Sequence, residues 1–258
     1  MARSIASPRS SYTFRMPTSD LVARTAPFVE QRFVDSTGFA LPYLWLAPTG
    51  ETTQPQPLVV FFHGAGERGS DNHAQLRNGV AELLSSDEHR AKFPCFALLP
   101  QCPLDHRWVE VDWSADSHEL PVEPSLPMAA LRELLAPLLR DPRIDSDRVY
   151  VIGLSMGGFA VWDLLCRQPT DFAAAIAICG GADVAQANRV AHVPIWLFHG
   201  AQDQVVSVER SRQMVETLGQ AGHRPRYTEY KAVGHDAWSQ AFADPGLLPW
   251  LFAQTKRR

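Results

Sequence analysis

The sequence predicts an α/β fold, with a mainly parallel central sheet and helices on both of its faces. Three observations carry that expectation. Short continuous apolar runs recur, Leu58–Phe62, Phe96–Leu99 and Val149–Ile152 among them, as strands buried on both faces of a parallel sheet require. Helical stretches alternate with these runs, the pattern of βαβ units. The chain has 258 residues, 45% of them hydrophobic and 20% charged, enough for one large core and too apolar for disorder to be the default.

Taken in order, residues 1–28 hold scattered Pro and Ser without sustained periodicity and read as an N-terminal arm or leader. Arg3, Arg9 and Arg15 precede the first acid, Asp20, a bias faintly like that of a transit peptide. From Phe33 strand character begins, with Gly38 in a hairpin turn and Phe39–Leu46 as a strand. A Pro/Gln/Thr loop, Pro48–Pro57, leads to the strand Leu58–Phe62. Ala81–Asp87 is helical, and Phe96–Leu99 is the next strand. Pro100–Pro127 is long and irregular, rich in Trp, Asp, His and Pro, and loops of that length inside a compact domain are usually functional. Met128–Leu139 is a helix bent or ended near Pro137. The strand Val149–Ile152 and the helix Met156–Arg167 follow, then strands Ala173–Ile178, Ile195–Phe198 and Arg226–Tyr230. Between the last two lies a helix, Val208–Leu218, closed by Gly219. No repeat and no second composition zone appears, so residues 29–258 read as one domain.

Composition narrows the function. A net charge of −4 and a pI near 6.1 argue against a nucleic-acid partner, which wants a basic face. No stretch approaches the roughly 18 consecutive apolar residues of a membrane span. Cys95, Cys102, Cys166 and Cys179 are too few and scattered for a disulfide scaffold, and none forms a CxxC pair; only Cys95 and Cys102 are close in sequence. Thiols of this kind suit a reducing, cytoplasmic setting. A small molecule is the expected partner, and self-association stays open.

The strongest local signal is Gly153-Leu154-Ser155-Met156-Gly157, placed between a strand and a helix. A sharp strand-to-helix turn puts the serine in a strained conformation and lifts its hydroxyl to the sheet's C-terminal edge. Small residues two before and two after let strand and helix approach. A serine hydroxyl is a weak nucleophile and needs an imidazole base oriented by a carboxylate. Asp203, just past the strand Ile195–Phe198, is the expected acid, with Asp183 its rival; Asp163 and Asp171 read as surface residues. His235, after the last strand, is the expected base, because His223 precedes a strand and falls at the opposite edge. Asp236 reads as a local cap.

After Leu58–Phe62 comes His63-Gly64-Ala65-Gly66-Glu67-Arg68-Gly69. Such a loop can supply one backbone N–H of an oxyanion hole, with the residue after the nucleophile supplying the other. Ala65 and Met156 are the expected donors, with Gly66 the second choice for the first. The same residues match GxGxxG, which raises an NAD-dependent oxidoreductase as a rival. That fingerprint wants a second strand ending in an acid about twenty residues on, whereas Ala81–Asp87 is helical. An inactive binding module on the same fold is a third reading. No HExxH or Walker A pattern is present, so no metal is called for.

HGAGERGSDN, Leu99-Pro100-Gln101-Cys102-Pro103 with Trp108 and Trp113, DPRIDSDRVYVIGLSMGG, and HGAQDQVV with GHDAW together carry a resemblance. They resemble the phospholipase/carboxylesterase (predicted peptidase) branch of the α/β-hydrolases, near the feruloyl-esterase-like and polyhydroxybutyrate-depolymerase-like enzymes. The resemblance covers about residue 30 onward. It implies an α/β-hydrolase fold, a Ser155–Asp203–His235 triad, and no cofactor. It also implies a serine esterase working through an acyl-enzyme, with peptidase or thioesterase action as alternatives. The chain itself shows no long amphipathic insertion of the kind a lipase lid needs, so no separate lid domain is expected. The missing lid and the polar, aromatic long segment favour short-chain or aromatic acyl esters. The long segment is the expected wall of the substrate pocket, through Gln101, Trp108 and Trp113.

Overall fold

The computed structural model describes residues 27–50 and 52–256; residues 1–26, which hold nearly all of the expected N-terminal arm, lie outside them. Eight strands form one sheet in the order β1-β2-β4-β3-β5-β6-β7-β8. They are β1 (Val29–Val34), β2 (Ala40–Leu46), β3 (Gln56–Phe62), β4 (Phe96–Pro100), β5 (Ile144–Leu154), β6 (Ala174–Ile178), β7 (Ile195–Gly200) and β8 (Arg226–Tyr230). The hairpin β1–β2 is antiparallel and joins β4 antiparallel; every other pairing is parallel. Gly38 makes the hairpin turn with φ of 90°, a conformation that costs glycine nothing.

Helices α1 (Val80–Ser85), α2 (Asp87–Lys92), α3 (Leu126–Leu138), α4 (Met156–Arg167), α5 (Ala187–Val190), α6 (Glu209–Gln220), α7 (Trp238–Phe242) and α8 (Leu247–Phe252) cover the sheet. Alternate side chains of β3 feed two cores. Leu58, Val60 and Phe62 pack with α3, α4 and α6 on one face. Val59 and Phe61 pack with α1, α7 and α8 on the other. The strand's unbroken apolar run is thus the trace of two cores, not one. Phe28 is buried in the second cluster.

Several details differ from the sequence expectation. Strand β1 already begins at Val29 and β3 at Gln56. β5 starts at Ile144, five residues before the apolar run, because Gln56 pairs with Ile144 at the sheet's rim, where polar residues face water. Helix α6 runs through Gly219 to Gln220; a Cβ at Gly219 would meet nothing within 4 Å, so this exposed last turn tolerates it. Asp163 is not a surface residue: it is 3% exposed and paired with Arg167 at 2.8 Å. Burial, held back by Arg167, raises its pKa above the usual carboxylate value. Helix α3 stops one residue past Pro137, and Ser125 caps its start by accepting the Met128 N–H at 3.3 Å.

The long irregular segment is held by distant side chains, chiefly arginines, that donate to its carbonyls. Arg68 reaches Leu104 O at 3.1 Å, Arg210 reaches Ala115 O at 2.7 Å, and Arg167 reaches Pro121 O at 2.6 Å. Arg210 also contacts His118 Nδ1. Asp183 accepts the Leu120 N–H at 2.9 Å. Cys95 and Cys102 are both free and buried, in different cores. No described helix is long and apolar enough to cross a membrane.

Candidate active site

Ser155 sits between β5 and α4 at φ 53° and ψ −120°, a backbone conformation strained for any residue with a Cβ. Close packing enforces it. A Cβ on Gly157 would lie 2.1 Å from Phe62 O, and one on Gly153 would lie 2.2 Å from Gly157 O. The Ser155 N–H donates to Ile178 O at 2.8 Å, tying the elbow to β6.

The loops after β7 and β8 are zipped together. Ala201 N–H donates to Tyr230 O at 3.0 Å and Gln202 N–H to Val233 O at 2.9 Å, while a Cβ on Gly200 would lie 2.0 Å from Gly234 O. This approach brings Asp203 to His235. Ser155 Oγ lies 2.8 Å from His235 Nε2, and His235 Nδ1 lies 2.7 Å from Asp203 Oδ2. The three side chains singled out in the sequence therefore form one continuous hydrogen-bonded chain. Asp203 is buried with no side-chain exposure, while the His235 side chain keeps 21%. Burial pushes the Asp203 carboxyl up, but His199, His235 and the N–H groups of Val206 and Val205 outweigh it and hold the pKa well below the usual range. The acid is thus held in its ionised form against its burial.

Asp183, the rival acid, spends its oxygens on Leu120 N–H and Ala185 N–H. Asp236 accepts from Ser239 N–H and Oγ, a local cap as expected.

The loop after β3 passes beside the nucleophile. A Cβ on Gly64 would lie 2.9 Å from Leu154 Cδ1, 3.0 Å from Glu67 Oε2 and 3.5 Å from Ser155 Cβ. Ala65 opens a 3-10 turn, Ala65–Glu67, and Met156 opens α4; first-turn N–H groups have no partner within their own element. Both expected donors thus open a helical element, Ala65 one residue past Gly64 and Met156 one residue past Ser155. The turn is too short for a dinucleotide's helix, and Gly69 N–H is taken by Cys102 O at 2.9 Å.

His63, which sequence reasoning passed over, braces this loop. It is fully buried, with Nδ1 2.6 Å from Gly64 O and Nε2 accepting the Cys102 N–H at 2.9 Å. One nitrogen must donate and the other accept, so the ring is neutral. Burial, against the pull of Gly64 O, lowers its pKa from 6.5 to about 4. Glu67, also unanticipated, is a buried carboxyl in the same turn; burial raises its pKa against the Asn78 side chain and the Gly64 N–H.

The expected pocket wall is corrected in two of its three residues. Gln101 is fully buried: Oε1 accepts the Asn72 N–H at 2.7 Å, and Nε2 donates to Glu67 O at 3.1 Å and Asp71 Oδ1 at 2.8 Å. Trp108 is likewise fully buried, edge-on to Phe62 with centroids 5.0 Å apart, its Nε1–H donating to His63 O at 3.3 Å. Neither offers surface to a substrate; both hold the loop after β3. Trp113 is half-buried against the first core, beneath the Arg107 guanidinium at 4.6 Å.

Among the described residues, Cys179, His199 and Asp203 group their ligand atoms within 4.8 Å of one another. Those atoms are already engaged. Cys179 Sγ donates to His235 O at 3.2 Å, and burial together with the Asp203 charge pushes the thiol up to about 12. His199 bonds Val206 O and Ser211 Oγ. The arrangement is a hydrogen-bonded floor beneath the acid.

Comparison with known proteins fits this geometry. A solved structure of a thermostable esterase is 37% identical, with a TM-score of 0.81, over 88% of this chain and 63% of that one. A ferulic acid esterase shares the fold at 16% identity and a TM-score of 0.65, over 87% of this chain and 97% of that one. A protein described as a probable carboxylesterase of Oryza sativa subsp. japonica is 25% identical over 193 residues, 69% of this chain and 70% of its own. A bifunctional acetylxylan esterase/xylanase of Neocallimastix patriciarum is 28% identical over 100 residues, 38% of this chain and 15% of its own. The chain thus spans under two thirds of the length of the thermostable esterase and a small part of the fungal protein. The phospholipase/carboxylesterase family model matches residues 104–245, more than half of the chain, and with the sheet and elbow described above it shows that this chain is an α/β-hydrolase of the phospholipase/carboxylesterase family.

Proposed function

We propose that the chain is a serine esterase that hydrolyses carboxylic esters through an acyl-enzyme. The observation that carries the reading is the chain Ser155 Oγ–His235–Asp203, at 2.8 Å and 2.7 Å, ending on a serine held at φ 53°. In this mechanism Ser155 Oγ attacks the ester carbonyl while His235 Nε2 takes its proton. Asp203 keeps the Nδ1–H of His235 in place and stabilises the imidazolium. The N–H groups of Ala65 and Met156 stabilise the carbonyl oxygen as it gains charge, each contributing about 2.7–4 kcal/mol. His235 then protonates the leaving alkoxide, and water, deprotonated by the same imidazole, releases the acid.

Small or aromatic acyl groups are the proposed substrates. The glycine loop beside the nucleophile and the 101–125 segment are tightly braced, and Trp113 is the aromatic of that segment left with surface to offer. The esterases among the similar proteins, two of them named for acetylxylan and ferulic acid, support this class. Four free, buried thiols suit a reducing compartment, and we propose the cytoplasm. A fluorophosphonate probe with peptide mapping tests the reading: modification of Ser155, together with turnover of p-nitrophenyl acetate, is expected. Modification elsewhere overturns it.

A further inference from the structure

Asp203 serves more than one imidazole. Its Oδ1 accepts the N–H groups of Val205 and Val206 at 2.8 Å and 3.0 Å. Its Oδ2 accepts His235 Nδ1 at 2.7 Å and also lies 3.3 Å from His199 Nε2. A carboxylate has about four lone-pair sites; three take these hydrogen bonds, and the fourth faces the Nε2–H of His199, which it shares with Val206 O. His199 is fully buried on β7, and its Nε2 also lies 3.0 Å from Val206 O. Both neighbours of that nitrogen are acceptors, so it carries a proton. The opposite nitrogen, Nδ1, lies 2.7 Å from Ser211 Oγ on α6, itself buried. The ring is therefore gripped at both ends and cannot flip without breaking a buried bond.

The esterase mechanism makes no use of this second imidazole. The geometry points to His199, seated by Ser211, as a positioning residue that fixes the Oδ2 oxygen toward His235 and shares its negative charge; this rests on the esterase reading of the triad. Two physical consequences follow. First, a carboxylate with one open site can turn about its Cβ–Cγ bond, and the Nδ1–H of His235 then loses its aligned acceptor. Second, a donor on Oδ2 draws charge away from His235. Removing it concentrates that charge on the catalytic imidazole and favours its protonated form.

The experiment compares His199→Phe, which fills the space without a donor, with His199→Gln, whose amide N–H reaches the same oxygen. Both are assayed on p-nitrophenyl acetate across pH, with circular dichroism to verify folding. His199→Phe is expected to lower kcat by about 10–100-fold, the loss typical of removing a partner behind a working ligand, with KM nearly unchanged. It should also move the acidic limb of kcat/KM to higher pH. His199→Gln should restore most of the rate and of the pH profile. The low-field proton resonance of the Asp203–His235 hydrogen bond, which needs no turnover, should shift in His199→Phe and return in His199→Gln. A folded His199→Phe with wild-type kcat, pH limb and resonance overturns the proposal. So do equal losses in both variants with limb and resonance unmoved, which mark packing alone. If His199→Phe does not fold, Ser211→Ala decides by the same limb and resonance, and no change in either overturns the proposal. Esterase activity surviving in Ser155→Ala would instead overturn the esterase reading, while the resonance would still report on His199.

Discussion

The loop leaving β3 and the loop leaving β8 each carry a histidine to the same edge of the sheet, and the two end in opposite circumstances. His63 is fully buried, with both nitrogens committed to main-chain groups. His235 keeps 21% of its side chain exposed and spends its nitrogens on two side chains, Ser155 and Asp203. The first ring is fixed in one neutral form and acts as a strut. The second sits between a proton donor and an ionised acid, where it can gain and lose a proton. Residue type and sheet edge are the same; burial and partners separate scaffold from chemistry.

That contrast can be broken most directly at His235. His235→Ala is expected to lower kcat by about 10⁶-fold, the loss seen when a triad acts as a unit, with little change in the urea midpoint. A loss of only tenfold would return His235 to the scaffold. The acids sharpen the same point. Asp203→Asn should cost about 10⁴-fold in kcat with the fold intact, because the imidazole loses its charge-stabilising partner. Asp183→Asn should leave kcat near normal and lower thermal stability, since it braces Leu120 and Ala185. The reverse ranking would move the acid to the end of β6.

On the scaffold side, Trp108→Ala should destabilise the fold by about 3–5 kcal/mol, as for other buried large-to-alanine changes, and slow all esters alike. Trp113→Ala should cost far less stability and alter the ranking of acetyl against aromatic esters. If Trp108→Ala alone reorders the substrates, the buried tryptophan is a pocket wall after all. The smallest effect concerns pH. His63 is held at about 4 in the fold against an ordinary 6.5, so below 6.5 the unfolded chain takes up a proton first. Its contribution to stability is complete above pH 6.5 and is lost as pH falls toward 4. His118, lowered to about 4 by burial and then by Arg210, acts in the same sense. Urea midpoints should decline across that window, and His63→Gln should flatten the decline.

How much of this was legible in the sequence follows from where each residue's partners lie. Ser155, Asp203 and His235 stand just past apolar runs, and an open α/β sheet gathers its strand ends at one edge, so order and position were enough to name them. Helix α4 and strand β8 also matched their expected bounds, being strongly patterned. His199 was invisible as a participant because the residues that engage it, Ser211 and Asp203, meet it only through the fold. Trp108 and Gln101 were misjudged for a related reason: an aromatic or amide in an irregular segment looks available until its burial is known. Asp163 needed Arg167 one helical turn away and a sheet beneath it. The resemblance to known esterases sharpened the triad but carried no information on these internal bonds.

The arginine clamps on the long segment have a consequence for protein engineering. Arg68, Arg167 and Arg210 grip carbonyl oxygens, which every residue type possesses, so the path of the backbone is only weakly tied to the side chains it displays. Asp112 and Ser114 bond each other in a turn and should be kept, whereas Glu110, Asp116, Ser117 and Glu119 all face solvent along that path. These last positions can be randomised as a library while the clamps stay in place, much as a loop grafted on rigid posts accepts new sequences. Variation there would explore new specificities at small cost to folding, whereas the three arginines themselves should be left untouched.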